Sequence, residues 1–158
     1  MTLQLTQKER TLLQDQQSHE QLCIQQYKKN AQKATDPQLK QLFETIAQHE
    51  QQHLNTVNSI LAGQVPAMNQ GSQQQQTSPA GQSQTASSST SYNQNDAFLC
   101  QELLMAEKYI SGVYNTAIFE MTQPAVRQAL NHIQKEEQEH GEQIYKYMSS
   151  HGMYSTSS

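Results

Sequence analysis

Thr35-Asp36-Pro37-Gln38-Leu39-Lys40-Gln41-Leu42-Phe43-Glu44-Thr45-Ile46-Ala47-Gln48-His49-Glu50-Gln51-Gln52-His53 begins as a helix should and ends on side chains that a helix core rarely holds. Thr35 or Asp36 can cap the first turn, and Pro is tolerated there because its missing N–H would have no partner anyway. Leu39, Leu42/Phe43 and Ile46 then recur at helical spacing. Continuing the same stripe lands on Glu50 and His53. The stretch recurs 87 positions later: Thr35 maps to Thr122, Pro37 to Pro124, Gln41 to Gln128, Ile46 to Ile133, Glu50 to Glu137, Gln51 to Gln138 and His53 to His140.

The same offset works upstream. Leu12 maps to Leu99, Gln14 to Gln101, Glu20 to Glu107 and Tyr27 to Tyr114, and no gap is needed. An ungapped match across a whole helical hairpin points to internal duplication. The first hairpin is expected over 3–63. Its first helix runs from about Leu3 to Ala34 (Leu12/Leu13, Cys23/Ile24, Tyr27, Ala31), and its second ends near Gly63. The second hairpin is expected over 96–149, with helices from about Asp96 to Met121 and from about Pro124 to Met148. The tail 150–158 reads as frayed. Between the hairpins, 64–95 is rich in Gln, Ser, Thr, Gly and Pro. Such a segment buries too little apolar surface to offset its ordering entropy, and it reads as a flexible linker.

Composition sets the frame. The chain has 158 residues, no Trp, 34% hydrophobic residues and a formal charge of −4. That length gives one domain, and the helix-favouring residues make it all-α. With no basic footprint, nucleic acid is not an expected partner. Nor is a membrane, since no stretch approaches a span and the N-terminus lacks a signal-peptide core. Two cysteines, Cys23 and Cys100, lie in apolar stripes and read as buried free thiols.

Chemistry concentrates on the inward stripes. Glu20 lies between Leu13 and Tyr27, Glu107 between Leu103 and Tyr114, and the Glu50/His53 and Glu137/His140 pairs extend the other two stripes. Glu20 and Glu50 are each about fifteen residues from the first turn. At about 1.5 Å rise per residue, they sit level in an antiparallel pair. Buried carboxylates cost several kcal/mol unless paired or bound to metal. Four carboxylates balance two divalent ions, and mixed oxygen and imidazole ligation suits iron or manganese, with zinc also compatible. A buried Glu–His hydrogen-bond network is the structural alternative, although it leaves an excess of acid.

One Glu from each of two helices plus Glu-x-x-His from each of the others is the ligand arrangement of ferritin-like dimetal carboxylate bundles. The fold expected is therefore a ferritin-like four-helix bundle, built from two antiparallel hairpins joined by a long crossover. Tyr27 and Tyr114 read as core tyrosines behind the Glu residues. His19, His49 and His132 read as boundary residues, and Glu136, Glu139 and Glu142 as a solvated face.

The run Ala34-Thr35-Asp36-Pro37-Gln38-Leu39-Lys40-Gln41-Leu42-Phe43 followed by Glu50-Gln51-Gln52-His53 resembles the spore coat protein F-like (Coat F) family of endospore-forming Firmicutes. The Pro124 and Glu137-Gln138-Glu139-His140 unit is similar. The resemblance implies a ferritin-like fold, synthesis in the mother cell, a place in the spore coat, and other coat proteins or further copies of itself as partners. The Glu and Tyr spacing also resembles rubrerythrin-type di-iron proteins. That likeness implies Glu20, Glu50, His53, Glu107, Glu137 and His140 as ligands of two Fe or Mn ions. It also opens an alternative, an enzyme that disproportionates or reduces peroxide. The chain has no Cys-x-x-Cys pair for a rubredoxin-type iron, so a built-in electron donor is missing.

Overall fold

A computed structural model describes residues 2–67 and 92–154. Four helices account for most of them: α1 (Gln7–Lys33), α2 (Pro37–Leu61), α3 (Gln94–Glu120) and α4 (Pro124–Ser150). Among the described residues there is no strand. No helix is long and apolar enough to cross a membrane.

Local signals explain the boundaries. α1 starts at Gln7 rather than near Leu3 because Thr6 and Glu9 form a reciprocal capping box, each satisfying a backbone N–H of the other. Asp36 caps α2 through the Gln38 N–H at 2.9 Å, with Pro37 in the first turn. Asn93 caps α3 through the Asp96 N–H at 2.9 Å, so Gln94 and Asn95, expected in the linker, are helical. Each such cap stabilises its helix by about 1 kcal/mol. Gly63 ends α2 with φ +90°, and its carbonyl accepts the Leu3 N–H at 3.0 Å, tying the N-terminal strand of chain across that end.

Up to Tyr154 the C-terminal segment departs from the expectation of a frayed tail over 150–158, and 155–158 lies outside the described residues. α4 continues to Ser150, Gly152 takes φ +70°, and the Met153 N–H returns to the Met148 carbonyl at 2.8 Å. Met153 is buried, and His151 stacks on Tyr147 at 4.0 Å. The Gln- and Ser-rich stretch expected to be flexible falls largely on 68–91, outside the described residues.

α1 packs on α2 and α3, and α4 packs on α3 and α2. Two acids fix the relative direction of the hairpins. Asp96, at the start of α3, accepts the Thr35 N–H at 2.9 Å and its hydroxyl at 2.8 Å, at the end of α1. Glu9, at the start of α1, accepts the Thr122 N–H and hydroxyl at 2.7 Å, at the end of α3. Both acids are 1% exposed and stand 87 positions apart, as do their threonines. α1 and α3 are therefore antiparallel, so α2 and α3 run the same way. Leu61 and Gln94 lie at opposite ends of the bundle, which is the single long crossover of the ferritin-like fold.

The core splits into two apolar clusters. One gathers Tyr27, Leu39, Phe43, Ile46, Leu99, Leu103, Ile144 and Met148. The other gathers Leu13, Val57, Ile60, Ile110, Tyr114, Val126, Leu130 and Ile133. Between them, halfway along the helices, lies a polar layer.

Candidate metal centre

That layer holds all six residues singled out in the sequence. Glu20, Glu50 and Glu137 are 0% exposed, Glu107 and His53 3%, and His140 1%. They form two overlapping groups whose donor atoms all lie within 4.8 Å of one another: Glu20, Glu50, His53 and Glu137, and then Glu50, Glu107, Glu137 and His140. Glu50 and Glu137 belong to both groups. The helical stripes and the level set by the turns bring each hairpin's three residues together. The antiparallel docking of α1 on α3 brings the two hairpins' residues into one layer.

The shortest histidine–carboxylate bonds within the layer cross between hairpins. His53 Nδ1 lies 3.0 Å from Glu137 Oε1, and His140 Nδ1 lies 3.0 Å from Glu50 Oε1. The Tyr27 hydroxyl donates to Glu107, and the Tyr114 hydroxyl donates to Glu20. Tyr27 and Tyr114 are thus core tyrosines with satisfied hydroxyls. Each holds the terminal carboxylate of the opposite hairpin, an exchange that position along the chain did not reveal.

Both imidazoles turn Nδ1 toward the carboxylates and Nε2 outward. Here the hairpins differ. His53 Nε2 meets Glu136 Oε2 at 3.2 Å, whereas His140 Nε2 meets His49 Nδ1 at 3.2 Å. Glu136 and His49 occupy corresponding positions, 87 apart. This revises two readings of the sequence. Glu136 is part of the centre's surround, not only of a solvated face, and it also bonds His132. His49, read as a boundary residue, stacks on His140 at 5.4 Å. Nothing in helical periodicity marks either one, because each lies a single residue before an inward Glu.

Burial and proximity shape the acid–base state. Desolvation raises Glu20 well above the usual carboxylate range, with the nearby Glu50 charge adding to it. Burial likewise pushes Glu137 well up and Glu107 up. Burial opposes charge on Glu50 too, but hydrogen bonds from His140 and His53 hold it well below the ordinary value. Desolvation also opposes charge on the histidines. The bonds from Glu136 and Glu50 nonetheless carry His53 up to about 10, and the carboxylates of Glu107 and Glu137, each 3.6 Å from Nδ1, together with the Glu50 bond carry His140 up to about 11. Burial thus favours the protonated form of Glu20, Glu107 and Glu137, while hydrogen bonds favour charge on Glu50 and both imidazoles.

That protonic arrangement leaves gaps. Glu20 Oε2, Glu107 Oε2 and Glu137 Oε2 are buried with no hydrogen-bond partner. A closed Glu–His network would use these atoms, since an unsatisfied buried acceptor costs about 1–3 kcal/mol. Converging carboxylate oxygens and imidazole nitrogens, several of them unpaired, suit a cation. Gln16, one turn from Glu20, is also fully buried with neither amide atom paired, where hairpin two has Leu103. Of the two thiols, Cys100 is buried and pushed up to about 12 by desolvation. Cys23 is only partly buried, with its thiol also raised by burial and the nearby carboxylates.

A four-helix bundle with one long crossover and a carboxylate–histidine layer at mid-height defines a ferritin-like protein. The comparisons agree. Residues 95–157 match the model of the Coat F domain, and residues 4–61 match that of Rubrerythrin. Both resemblances seen in the sequence are met, but the Coat F one, expected over both hairpins, is matched over the second alone, and the first is matched by Rubrerythrin. A two-domain protein containing DJ-1/ThiJ/PfpI-like and ferritin-like domains from Anabaena variabilis ATCC 29413 superposes with a TM-score of 0.69 at 15% identity. The match covers 94% of this chain and 38% of that one, and it shows the fold alone. No curated protein matches the chain significantly in sequence.

Proposed function

We propose that the chain is a spore coat-associated ferritin-like protein that holds two divalent ions, iron or manganese, in its mid-bundle layer. The observation that carries the metal reading is the set of three buried carboxylate oxygens without hydrogen bonds beside two Nδ1-facing imidazoles. Glu20 and His53 would hold one ion and Glu107 and His140 the other, with Glu50 and Glu137, common to both groups, between them. When bound, such ions supply Lewis-acid and redox chemistry. The chain's own part is to orient and to insulate. Tyr27 and Tyr114 fix the terminal carboxylates, Glu136 and His49 fix the imidazoles, and the two apolar clusters exclude water on either side.

The coat assignment rests on the Coat F match over the second hairpin. Self-association or docking on other coat proteins is consistent with apolar side chains exposed on α3, Phe98, Met105, Tyr109 and Phe119. The 87-residue correspondence of the six residues, and of the bonds between them, supports an origin by duplication. A second reading, a peroxide-consuming dimetal oxidoreductase, is favoured by a cleft that reaches Glu107 and Glu137 from the surface.

Elemental analysis of protein purified without chelator tests the metal reading, beside a Glu50→Ala/Glu137→Ala double variant. About two equivalents of Fe or Mn, lost in the variant, are expected. No metal under any loading condition would refute it. Peroxide consumption by the loaded protein separates the enzyme from the coat component.

A further inference from the structure

The layer is buried, yet the two hairpins do not bury it equally. Between α3 and α4 a cleft of about 480 Å³ opens to solvent, with Leu104, Ser111, Gly141 and Tyr145 on its walls and Glu107 and Glu137 at its floor. Both floor carboxylates carry one of the unpartnered oxygens. Gly141 is what leaves room. A Cβ there would stand 3.7 Å from Leu104 Cδ1 and 4.0 Å from Glu107 Cβ, so a longer side chain starting at this position would lie over Glu107.

Hairpin one carries larger side chains at the corresponding place. The positions 87 residues earlier hold Leu54 for Gly141 and Ile24 for Ser111, both buried at 8% and 6% exposure. A depression of about 330 Å³ between α1 and α2, lined by Lys28, Glu44, Ala47, Gln48 and Gln51, includes none of the six layer residues. Two hairpins that agree at every carboxylate and histidine of the layer therefore differ where a side chain would block the way in.

We infer that the α3–α4 cleft over Gly141 is an entrance to the layer, and that its solute is a small divalent cation drawn to the floor carboxylates Glu107 and Glu137. The inference rests on the metal reading of the layer. An ion enters beside Glu107, and the second position, flanked by Glu20 and His53, fills by way of the shared Glu137 and Glu50. Loading is then governed by Gly141, a residue that holds no ion.

The test is the rate of Mn²⁺ uptake by metal-free, full-length protein, followed by stopped flow, beside the final occupancy at equilibrium. Gly141→Leu installs the residue that hairpin one has at position 54. It is expected to slow uptake at least tenfold while the final number of bound ions stays that of the wild type. Ser111→Ile places a second plug on the opposite wall and decides the matter by the same criterion should Gly141→Leu fail to fold. Uptake at the wild-type rate in a folded plugged variant overturns the entrance, as does slower uptake accompanied by lower final occupancy, which would mean damage to the layer itself. Wild-type protein that takes up no Mn²⁺ or Fe²⁺ overturns the metal reading and the entrance with it. Wild-type protein that loads normally, with plugged variants loading equally fast, overturns the entrance alone.

Discussion

Replacing Glu137 by Met separates a metal centre from a structural network, because the two make opposite predictions for the metal-free protein. Glu137 gives one oxygen to His53 at 3.0 Å, while the other, 3.6 Å from His140 Nδ1, accepts no hydrogen bond. Removing it strands nothing. His53 Nδ1 keeps Glu50 at 3.2 Å, His53 Nε2 keeps Glu136, and His140 Nδ1 keeps Glu50 at 3.0 Å. The lost hydrogen bond is worth about 1 kcal/mol, whereas relief of the unsatisfied buried oxygen returns about 1–3 kcal/mol. Replacing buried polar groups with apolar ones of similar volume is often neutral or stabilising. Glu137→Met is therefore expected to match or exceed the wild type in chelator by about 1 kcal/mol. With free metal at a thousandfold above Kd, each wild-type site adds about 4 kcal/mol. That corresponds to roughly 10–15 °C in Tm for a chain of this size. If losing a ligand shared by both groups weakens binding about 100-fold, the increment falls to about 1.4 kcal/mol per site. Urea unfolding followed by circular dichroism, in EDTA and in excess Mn²⁺, reads both numbers. A variant several kcal/mol less stable in EDTA, or one that keeps the full metal-dependent gain, would refute the reasoning.

Three further outcomes follow from single contacts. Glu9→Ala removes the acceptor of the Thr6 N–H and of the Thr122 N–H and hydroxyl, and should cost about 2–3 kcal/mol in chemical denaturation. Burial opposes the Glu9 charge, but the bonds from Thr122 and Thr6 outweigh it and hold the carboxyl below its ordinary value of 4.5. Its contribution is therefore fully present above about 4.5 and is lost as pH falls through the lower folded value. Glu9→Gln should flatten that part of a stability–pH profile, and an unchanged acid limb would count against the clamp. Gln16→Leu, copying Leu103 of the second hairpin, buries no unpaired amide. It should raise stability by about 1–3 kcal/mol without altering metal occupancy, as checked by urea unfolding and elemental analysis. Glu136→Ala leaves the buried His53 Nε2 without its carboxylate and should weaken metal binding about 10- to 100-fold while lowering metal-free stability by about 1–3 kcal/mol. A competition titration against a chelator of known affinity would show an unaltered Kd if Glu136 plays no part.

Much of this architecture was legible along the chain because it depends on short spacings. Asp36-Pro37 and Gly63 mark helix ends through backbone geometry confined to a few residues. Glu50/His53 and Glu137/His140 face inward because three residues make nearly one turn, so the stripe that names the core also names the polar layer. The misreadings lie where that logic stops. The tail was read as frayed because nothing local announces that Met153 finds a core to enter. Glu136 was read as solvent-facing because its reward, the Nε2 of His53, comes from another helix.

The sequence by itself determined four helices, two equivalent hairpins and six polar side chains at one level, since helical period and distance from a turn are properties of a single chain segment. Only the tertiary structure decided which hairpin serves which. Tyr27 secures Glu107 and Tyr114 secures Glu20, Glu9 and Asp96 each hold the other hairpin's turn, and Gly141 leaves a way in where Leu54 does not. Those relations arise when α1 lies antiparallel on α3, and no periodicity within either hairpin encodes the face its partner will present.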